Sequence, residues 1–158
     1  MKLKVLLEGK PFMTEYGIVG YSTVVFIACD DGKNILYDCG SKGCVLQLKE
    51  ALEKAGMKPE DITHVVISHL HFDHVGNLPL FSNAEILLNK IEWETANQTP
   101  DEWHSIQTLA YLEKRGNLRF VKEKDMIAEE VSVMELPGHT PGLIGLRCGA
   151  ETILCSDA

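Results

Sequence analysis

The sequence predicts a layered α/β domain. Short segments rich in β-branched and aromatic residues, typical of strands, open the chain and return in its last third. Two segments between them have the apolar period of amphipathic helices. Glycine and proline clusters separate the segments, and no repeat or linker interrupts the 158 residues. We therefore expect one domain over residues 1–158, with sheets that carry helices on their outer faces.

The first third of the chain predicts strands followed by a helix. Residues 2–7 and 21–29 are apolar and β-branched, and an Asp-Gly turn joins the second segment to residues 34–38. The period then changes over residues 43–55, where the apolar side chains fall on one helical face, and Gly56 stands where a helix-ending glycine belongs. Further strands are predicted at residues 62–67, 84–88, 118–121, 131–136, 143–148 and 152–155, and helices at 92–98 and 103–115.

Composition limits the partners of the protein. Asp and Glu number 23 against 15 Lys and Arg, and this net charge of −8 disfavours a nucleic-acid partner. No apolar run approaches the roughly 20 residues that cross a bilayer. The five cysteines are an odd number without Cys-x-x-Cys spacing, which favours the reducing cytoplasm over a disulfide framework. A small-molecule substrate is the expected partner.

A polar run follows the strand predicted at residues 62–67. It contains His69, His71, Asp73 and His74, in a predicted loop that turns at Gly76. Loops at the carboxyl ends of strands carry chemistry in α/β proteins. Imidazole and carboxylate together favour zinc, with iron or manganese as alternatives, so the run predicts a metal site.

His69 and His71 are spaced to bind one metal ion from the same side. Because a zinc site takes three or four protein ligands, a third ligand must come from elsewhere. His139 is the candidate, since Pro137-Gly138 and Pro141-Gly142 hold it in a rigid turn.

Asp73 and His74 are predicted to bind a second metal ion close to the first. Such two-metal sites need an anionic bridge, and Asp157 follows the last predicted strand at the right place, although a solvated charge is an equal alternative. Asp38 ends an earlier strand and either supports a ligand imidazole from behind or caps a turn. His64 and His104 are expected to be structural or exposed.

The His69-x-His71-x-Asp73-His74 motif, with Asp38-Cys39-Gly40 before it and the turn around His139 after it, resembles the metallo-β-lactamase-fold superfamily over essentially the whole chain. The resemblance implies a four-layer αββα sandwich. It also implies that His69, His71 and His139 bind one metal, that Asp73 and His74 bind another, and that Asp157 bridges them. In the family pattern a strand pair, a last histidine and a closing helix follow the bridging aspartate. We therefore expect the chain to lack its C-terminal strands and helix.

Metal-assisted hydrolysis is the expected reaction. A bound metal lowers the pKa of water to about 7 and so supplies hydroxide, while Asp73 orients the nucleophile or shuttles its proton. Val75-Gly76-Asn77 and Asp157-Ala158 are similar to the acyl-homoserine lactonase branch, whereas glyoxalase II relatives usually have a double glycine. The expected substrate is a small ester, lactone or thioester.

Two other functions remain open at this point. One is a phosphodiesterase or RNA-processing nuclease of the same fold, and the other is a non-catalytic metal-binding fragment, should the chain end at Ala158. His71 disfavours a di-iron module, in which glutamate typically takes that position. Unpaired sheet edges would favour a homodimer.

Overall fold

The computed structural model describes residues 1–15 and 17–158, which form two large sheets, a small ribbon and four α-helices. The strands are β1 (Lys2–Leu7), β2 (Met13–Thr14), β3 (Gly17–Ile18), β4 (Val24–Ala28), β5 (Asn34–Tyr37), β6 (His64–Val66), β7 (Glu85–Asn89), β8 (Leu118–Val121), β9 (Met126–Ala128), β10 (Val131–Glu135), β11 (Ile144–Cys148) and β12 (Thr152–Leu154). The helices are α1 (Val45–Lys54), α2 (Phe72–Val75), α3 (Lys90–Gln98) and α4 (Ile106–Arg115), with 3₁₀ turns at Lys42–Cys44, Pro59–Asp61 and Leu78–Leu80.

The six-stranded sheet has the order β1-β4-β5-β6-β7-β8, and the four-stranded sheet has the order β12-β11-β10-β9. Neighbours from β1 to β5 are antiparallel, which confirms the predicted β4–β5 hairpin. Neighbours from β5 to β8 are parallel. The carboxyl ends of β5, β6 and β7 therefore meet at one edge, where parallel sheets bind ligands.

Alternating side chains of the six-stranded sheet build two separate cores. On β4, Val24 and Phe26 face the helices, where they join Leu48 and Leu52 of α1 and other helical residues. Val25 and Ile27 face the opposite way and pack with residues of the four-stranded sheet. The order of layers is therefore helices, six-stranded sheet, four-stranded sheet.

The predicted α/β class with two stacked sheets is confirmed. Of the four layers of an αββα sandwich, residues 1–15 and 17–158 form three. The second core cluster contains no helical residue. Met126 and Ile153 of the four-stranded sheet are exposed, so its outer face is open in the described part of the chain.

Two local predictions about helices are wrong. The predicted loop at the polar run contains the one-turn helix α2, because Asp73 and His74 continue a turn that begins after His71. Gly76 lies in the turn that ends α2, as predicted, with a φ of −62°. Its missing side chain also permits close packing, since a Cβ there would lie 2.7 Å from the carbonyl carbon of Ser41.

The helix predicted at residues 103–115 begins three residues later. Ser105 is its N-cap, and the Ser105 hydroxyl accepts a hydrogen bond from the backbone N–H of Thr108 at 3.3 Å. Gly116, at a φ of +75°, ends this helix as predicted. None of the helices in the described residues is long and apolar enough to span a membrane.

Candidate metal centre

The segment after β6 is held extended by neighbouring strands. The Ile67 N–H donates to the carbonyl of Leu87 at 2.8 Å, and the Ser68 N–H donates to Oδ1 of Asp38, also at 2.8 Å. The next residues then present His69 and His71 at the sheet edge, where both side chains are buried. This is the position that the sequence predicts for a metal site.

The short helix α2 turns the following side chains toward the same centre. The His74 N–H donates to the carbonyl of His71 at 3.1 Å, and the Cys39 N–H donates to the carbonyl of His74 at 2.8 Å. Asn77 fixes the loop after β5, since its amide donates to the carbonyls of Cys39 and Ser41 at 2.9 and 2.7 Å. Asn77 therefore has a structural role.

All six side chains predicted as ligands lie in one cluster. His139, on the loop between β10 and β11, has its Nε2 3.1 Å from Nδ1 of His71. One ligand atom each from His69, His71 and His139 lies within 4.8 Å of the others, and the same holds for His69, His74 and Asp157.

Asp157 follows β12, and its half-exposed carboxylate faces this cluster. Its Oδ2 lies 3.3 Å from Nε2 of His74, 3.6 Å from Nε2 of His139 and 3.9 Å from Nε2 of His69. Asp73 also borders the cluster, with Oδ2 3.7 Å from Nε2 of His74. One carboxylate thus faces three imidazoles, which is the arrangement that a bridging ligand needs.

A polar network lies behind the imidazoles. The hydroxyl of Ser68 donates to Oδ2 of Asp38 at 2.7 Å and accepts a hydrogen bond from the Ser156 hydroxyl at 2.9 Å. Because the single Ser68 proton goes to Asp38, the 3.0 Å contact between Ser68 Oγ and His69 Nδ1 requires that His69 Nδ1 carries the proton. The same Asp38 oxygen lies 2.8 Å from Nδ1 of His74. Both imidazoles therefore direct Nε2 into the cluster.

The pKa values of these groups diverge. Burial, reinforced by the neighbouring imidazoles, lowers the pKa of His69 far below its ordinary value. Burial also disfavours the His74 cation, but the charge of Asp38 and the side chains of Asp157 and Asp73 outweigh burial and raise the pKa of His74 to about 10. The same His74 side chain holds the pKa of Asp157 below its usual range.

The buried imidazole nitrogens of the cluster indicate whether a metal ion fits among these residues. Nε2 of His69 and Nε2 of His74 are buried and have no hydrogen-bond partner among the described residues, although buried polar atoms are ordinarily paired. Two imidazole nitrogens on one tetrahedral zinc ion at 2.0–2.1 Å would lie roughly 3.3 Å apart. The 3.1 Å between the facing nitrogens of His71 and His139 is close to that value. The residues present fit a divalent metal ion.

Sequence reasoning missed two carboxylates beside the histidine segments, Asp101 and Glu92. His104 was predicted in a helix, but it lies before α4, and its Nδ1 is 2.8 Å from Oδ1 of Asp101. Oδ2 of Asp101 is 3.5 Å from Nε2 of His71, the nitrogen that faces away from His139. Glu92 of α3 is buried beneath both histidine loops. Neither carboxylate lies near a motif, so only the folded chain reveals them.

Comparison with known proteins identifies the family. The sequence model described as "Metallo-beta-lactamase superfamily" matches residues 17–156. The chain belongs to this superfamily. Among its curated relatives, an N-acyl homoserine lactonase of Bacillus cereus is 35% identical over 91 residues, which are 58% of this chain and 34% of the relative. A second N-acyl homoserine lactonase, from a Bacillus species, is 34% identical over 68% of this chain and 42% of its own length.

Solved structures of superfamily members share the fold. A protein described as a putative metallo-beta-lactamase from Thermotoga maritima superposes with a TM-score of 0.78 at 24% identity, covering 96% of this chain and 73% of its own. A quorum-quenching N-acyl homoserine lactone lactonase superposes with a TM-score of 0.66 at 23% identity, over 85% of this chain and 58% of its own. The chain thus spans about a third to two fifths of these two curated lactonases.

Proposed function

We propose that residues 1–158 form a single metal-binding domain of a metal-dependent hydrolase that cleaves a small ester, lactone or thioester. The observation that carries the proposal is the convergence of buried, unpartnered imidazole nitrogens on one carboxylate, that of Asp157. A buried nitrogen without a partner is costly, and a metal ion removes that cost. Four imidazoles and two carboxylates suit zinc best among the divalent ions, with iron or manganese as alternatives.

The proposed ligand sets follow the two clusters. His69, His71 and His139 hold the first ion, Asp73 and His74 hold the second, and Asp157 bridges the two. The proximity of one Asp157 oxygen to three different imidazoles supports its bridging role. Asp38 supports His74 from behind, because it accepts the Nδ1 proton and leaves Nε2 free for the metal.

Divalent ions bound there would activate water as a nucleophile and polarise the carbonyl of the substrate. The side chains of the protein have separate tasks. Asp73 is partly exposed, so its free oxygen is available to orient the attacking water and to accept its proton. The Ser68–Asp38 network keeps the imidazoles in fixed orientations, so that the site does not reorganise during the reaction.

A lactone is the first substrate class to test. Curated lactonases 31–35% identical to this chain support it. One solved N-acyl homoserine lactone hydrolase has the product N-hexanoyl-L-homoserine bound at its catalytic metal centre, and a dizinc lactonase is in complex with the same product. The acidic net charge of the chain offers no support for a nucleic-acid substrate.

The experiment measures bound metal and then hydrolysis of an acyl-homoserine lactone, a thioester and a phosphodiester. We expect about two equivalents of metal and the fastest turnover with the lactone or the thioester. Asp157→Ala should lose the second ion more readily than the first, while Glu151→Ala, on an exposed turn, should retain both. Absence of bound metal would refute the proposal, and preferred turnover of the phosphodiester would replace it with the nuclease function.

A further inference from the structure

Glu92 is a buried carboxylate that the proposed chemistry does not use. It lies in the first turn of α3, and only 1% of its surface is exposed. Helices commonly turn such residues outward, because burial of a carboxylate is costly unless hydrogen bonds compensate it. The sequence offers no reason for this orientation, since α3 is otherwise an ordinary amphipathic helix.

Three hydrogen bonds compensate the burial of Glu92. Its Oε1 accepts from the backbone N–H of Leu70 at 2.9 Å. Its Oε2 accepts from the hydroxyl of Thr140 at 2.7 Å and from the backbone N–H of Gly142 at 3.2 Å. Hydrogen bonds to a charged acceptor are stronger than neutral ones, and more so in a buried environment.

The donors belong to the two loops that carry the histidines. Leu70 lies between His69 and His71, and Thr140 is the residue after His139. One oxygen of Glu92 therefore holds the first loop and the other oxygen holds the second. The two loops are separated in sequence by about half of the chain, and α3 joins them at a single side chain.

The second loop also packs directly on the backbone of α3. A Cβ at Gly142 would overlap the backbone nitrogen of Glu92 and would lie 2.6 Å from its Cα. Only glycine permits this approach. The side chain of Glu92 and the backbone around it thus fix the second loop from two directions.

We infer that Glu92 is a positioning residue for the first metal site, because it sets the distance between the His69–His71 pair and His139. The inference rests on the proposed metal-binding function. Glu92 does not touch the metal ligands' nitrogens, and it acts through the backbone on either side of them. A change at Glu92 should alter the coordination of the first ion more than that of the second, whose proposed ligands Asp73 and Asp157 lie outside the Glu92 contacts.

The test compares Glu92→Gln with the matched control Glu94→Gln on the same helix. Glutamine has nearly the same shape, but its amide group cannot accept hydrogen bonds from both loops. Glu94 is half-exposed, and its one ion pair within the described part of the chain is with Lys90 at 3.4 Å. Thr140→Val and Thr140→Ser form a second pair, in which serine retains the hydroxyl and valine lacks it.

The measurements are far-ultraviolet circular dichroism, zinc affinity by competition with a chromophoric chelator, and the visible spectrum of bound Co²⁺. We expect Glu92→Gln to keep the native dichroism, to bind the first zinc ion about 10–100-fold more weakly and to change the Co²⁺ spectrum. Thr140→Val should shift the same quantities in the same direction, and Thr140→Ser should restore them. Glu94→Gln should match the wild-type protein.

The two possible failures are distinguishable. If the wild-type protein binds no zinc, the proposed function falls and the inference falls with it. If the wild-type protein binds zinc and both Glu92→Gln and Thr140→Val leave the first-site affinity and the Co²⁺ spectrum unchanged, only the positioning role of Glu92 is refuted. Should Glu92→Gln fail to fold, the Thr140 pair decides by the same two readouts.

Discussion

Zinc binding at the second site should depend steeply on pH, because His74 has to lose a proton first. Burial disfavours the His74 cation, but Asp38, Asp157 and Asp73 outweigh it and raise the pKa of His74 to about 10 in the metal-free protein. A metal ion binds only the neutral imidazole, so its binding displaces that proton. The apparent affinity should therefore rise about tenfold per pH unit from about pH 7, for a total of about 10³ by pH 10.

Asp38→Asn removes the main charge that holds this proton. Asp38 has a φ of +57°, a conformation that asparagine adopts readily, so the backbone should not change. Without the carboxylate the pKa of His74 should fall, and the rise of zinc affinity above about pH 7 should become shallower. The limiting affinity at high pH should fall about 10–100-fold, because His74 loses the group that orients it.

Chelator competition at several pH values between about 6.5 and 8.5, together with the count of protons released in weakly buffered solution, measures both effects. Asp30→Asn is the matched control. Asp30 is an exposed carboxylate in the turn between β4 and β5, where it pairs with the N-terminal amine and not with the cluster. Equal slopes in the wild-type protein and in Asp38→Asn would show that His74 does not hold the competing proton, and would refute the reasoning.

Three further predictions concern stability and are tested by urea unfolding of the metal-free protein. The pKa of His74 is raised, so His74 contributes stability that is complete below about pH 6.5 and is lost as the pH rises through about 10. The pKa of His69 is lowered, so His69 makes the protein less stable as the pH falls below about 6.5. We therefore expect these two groups together to favour folding most near pH 6.5, and a monotonic pH dependence would contradict their assignments. Gly76→Ala should lower the free energy of unfolding by about 1–3 kcal/mol, because its Cβ would overlap the backbone at Ser41, and an unchanged midpoint would refute this close packing. Arg115→Ala should cost about 2–3 kcal/mol without changing the metal content, because its guanidinium donates to three backbone carbonyls beside α4, and a loss of metal would show that this contact also supports the site.

Strand positions were predictable wherever the local pattern was strong. The predicted bounds of β1 and β8 agree with the structure, and those of β10 and β11 differ by one residue, because alternating β-branched residues leave few other local conformations. Local patterns failed where a short element depends on its surroundings. The helix α2 is a single turn, and β9 (Met126–Ala128) has three residues, so neither is long enough to show a period.

The candidate ligands were predictable from sequence because four of the six lie within six consecutive positions. The groups that orient them were not. Glu92 bonds the backbone 22 positions earlier in the chain, and Ser156 contacts Asp38 across 118 positions. No local pattern links such residues, since each is an ordinary polar side chain in its own segment.

There is a chemical reason why the residues that orient the ligands lie far from them in sequence. Each imidazole has two nitrogens, and a metal ligand needs one of them bare and the other protonated and held. The motif supplies the imidazoles, but Ser68 and Asp38 decide which nitrogen of His69 and of His74 faces inward. Because these contacts come from different strands and loops, the tautomers are a property of the assembled fold. A peptide containing only residues 68–74 lacks both this network and the proposed ligands His139 and Asp157. It should therefore bind zinc far more weakly than the folded protein, and comparable affinities would show that neither the network nor the distant ligands contribute.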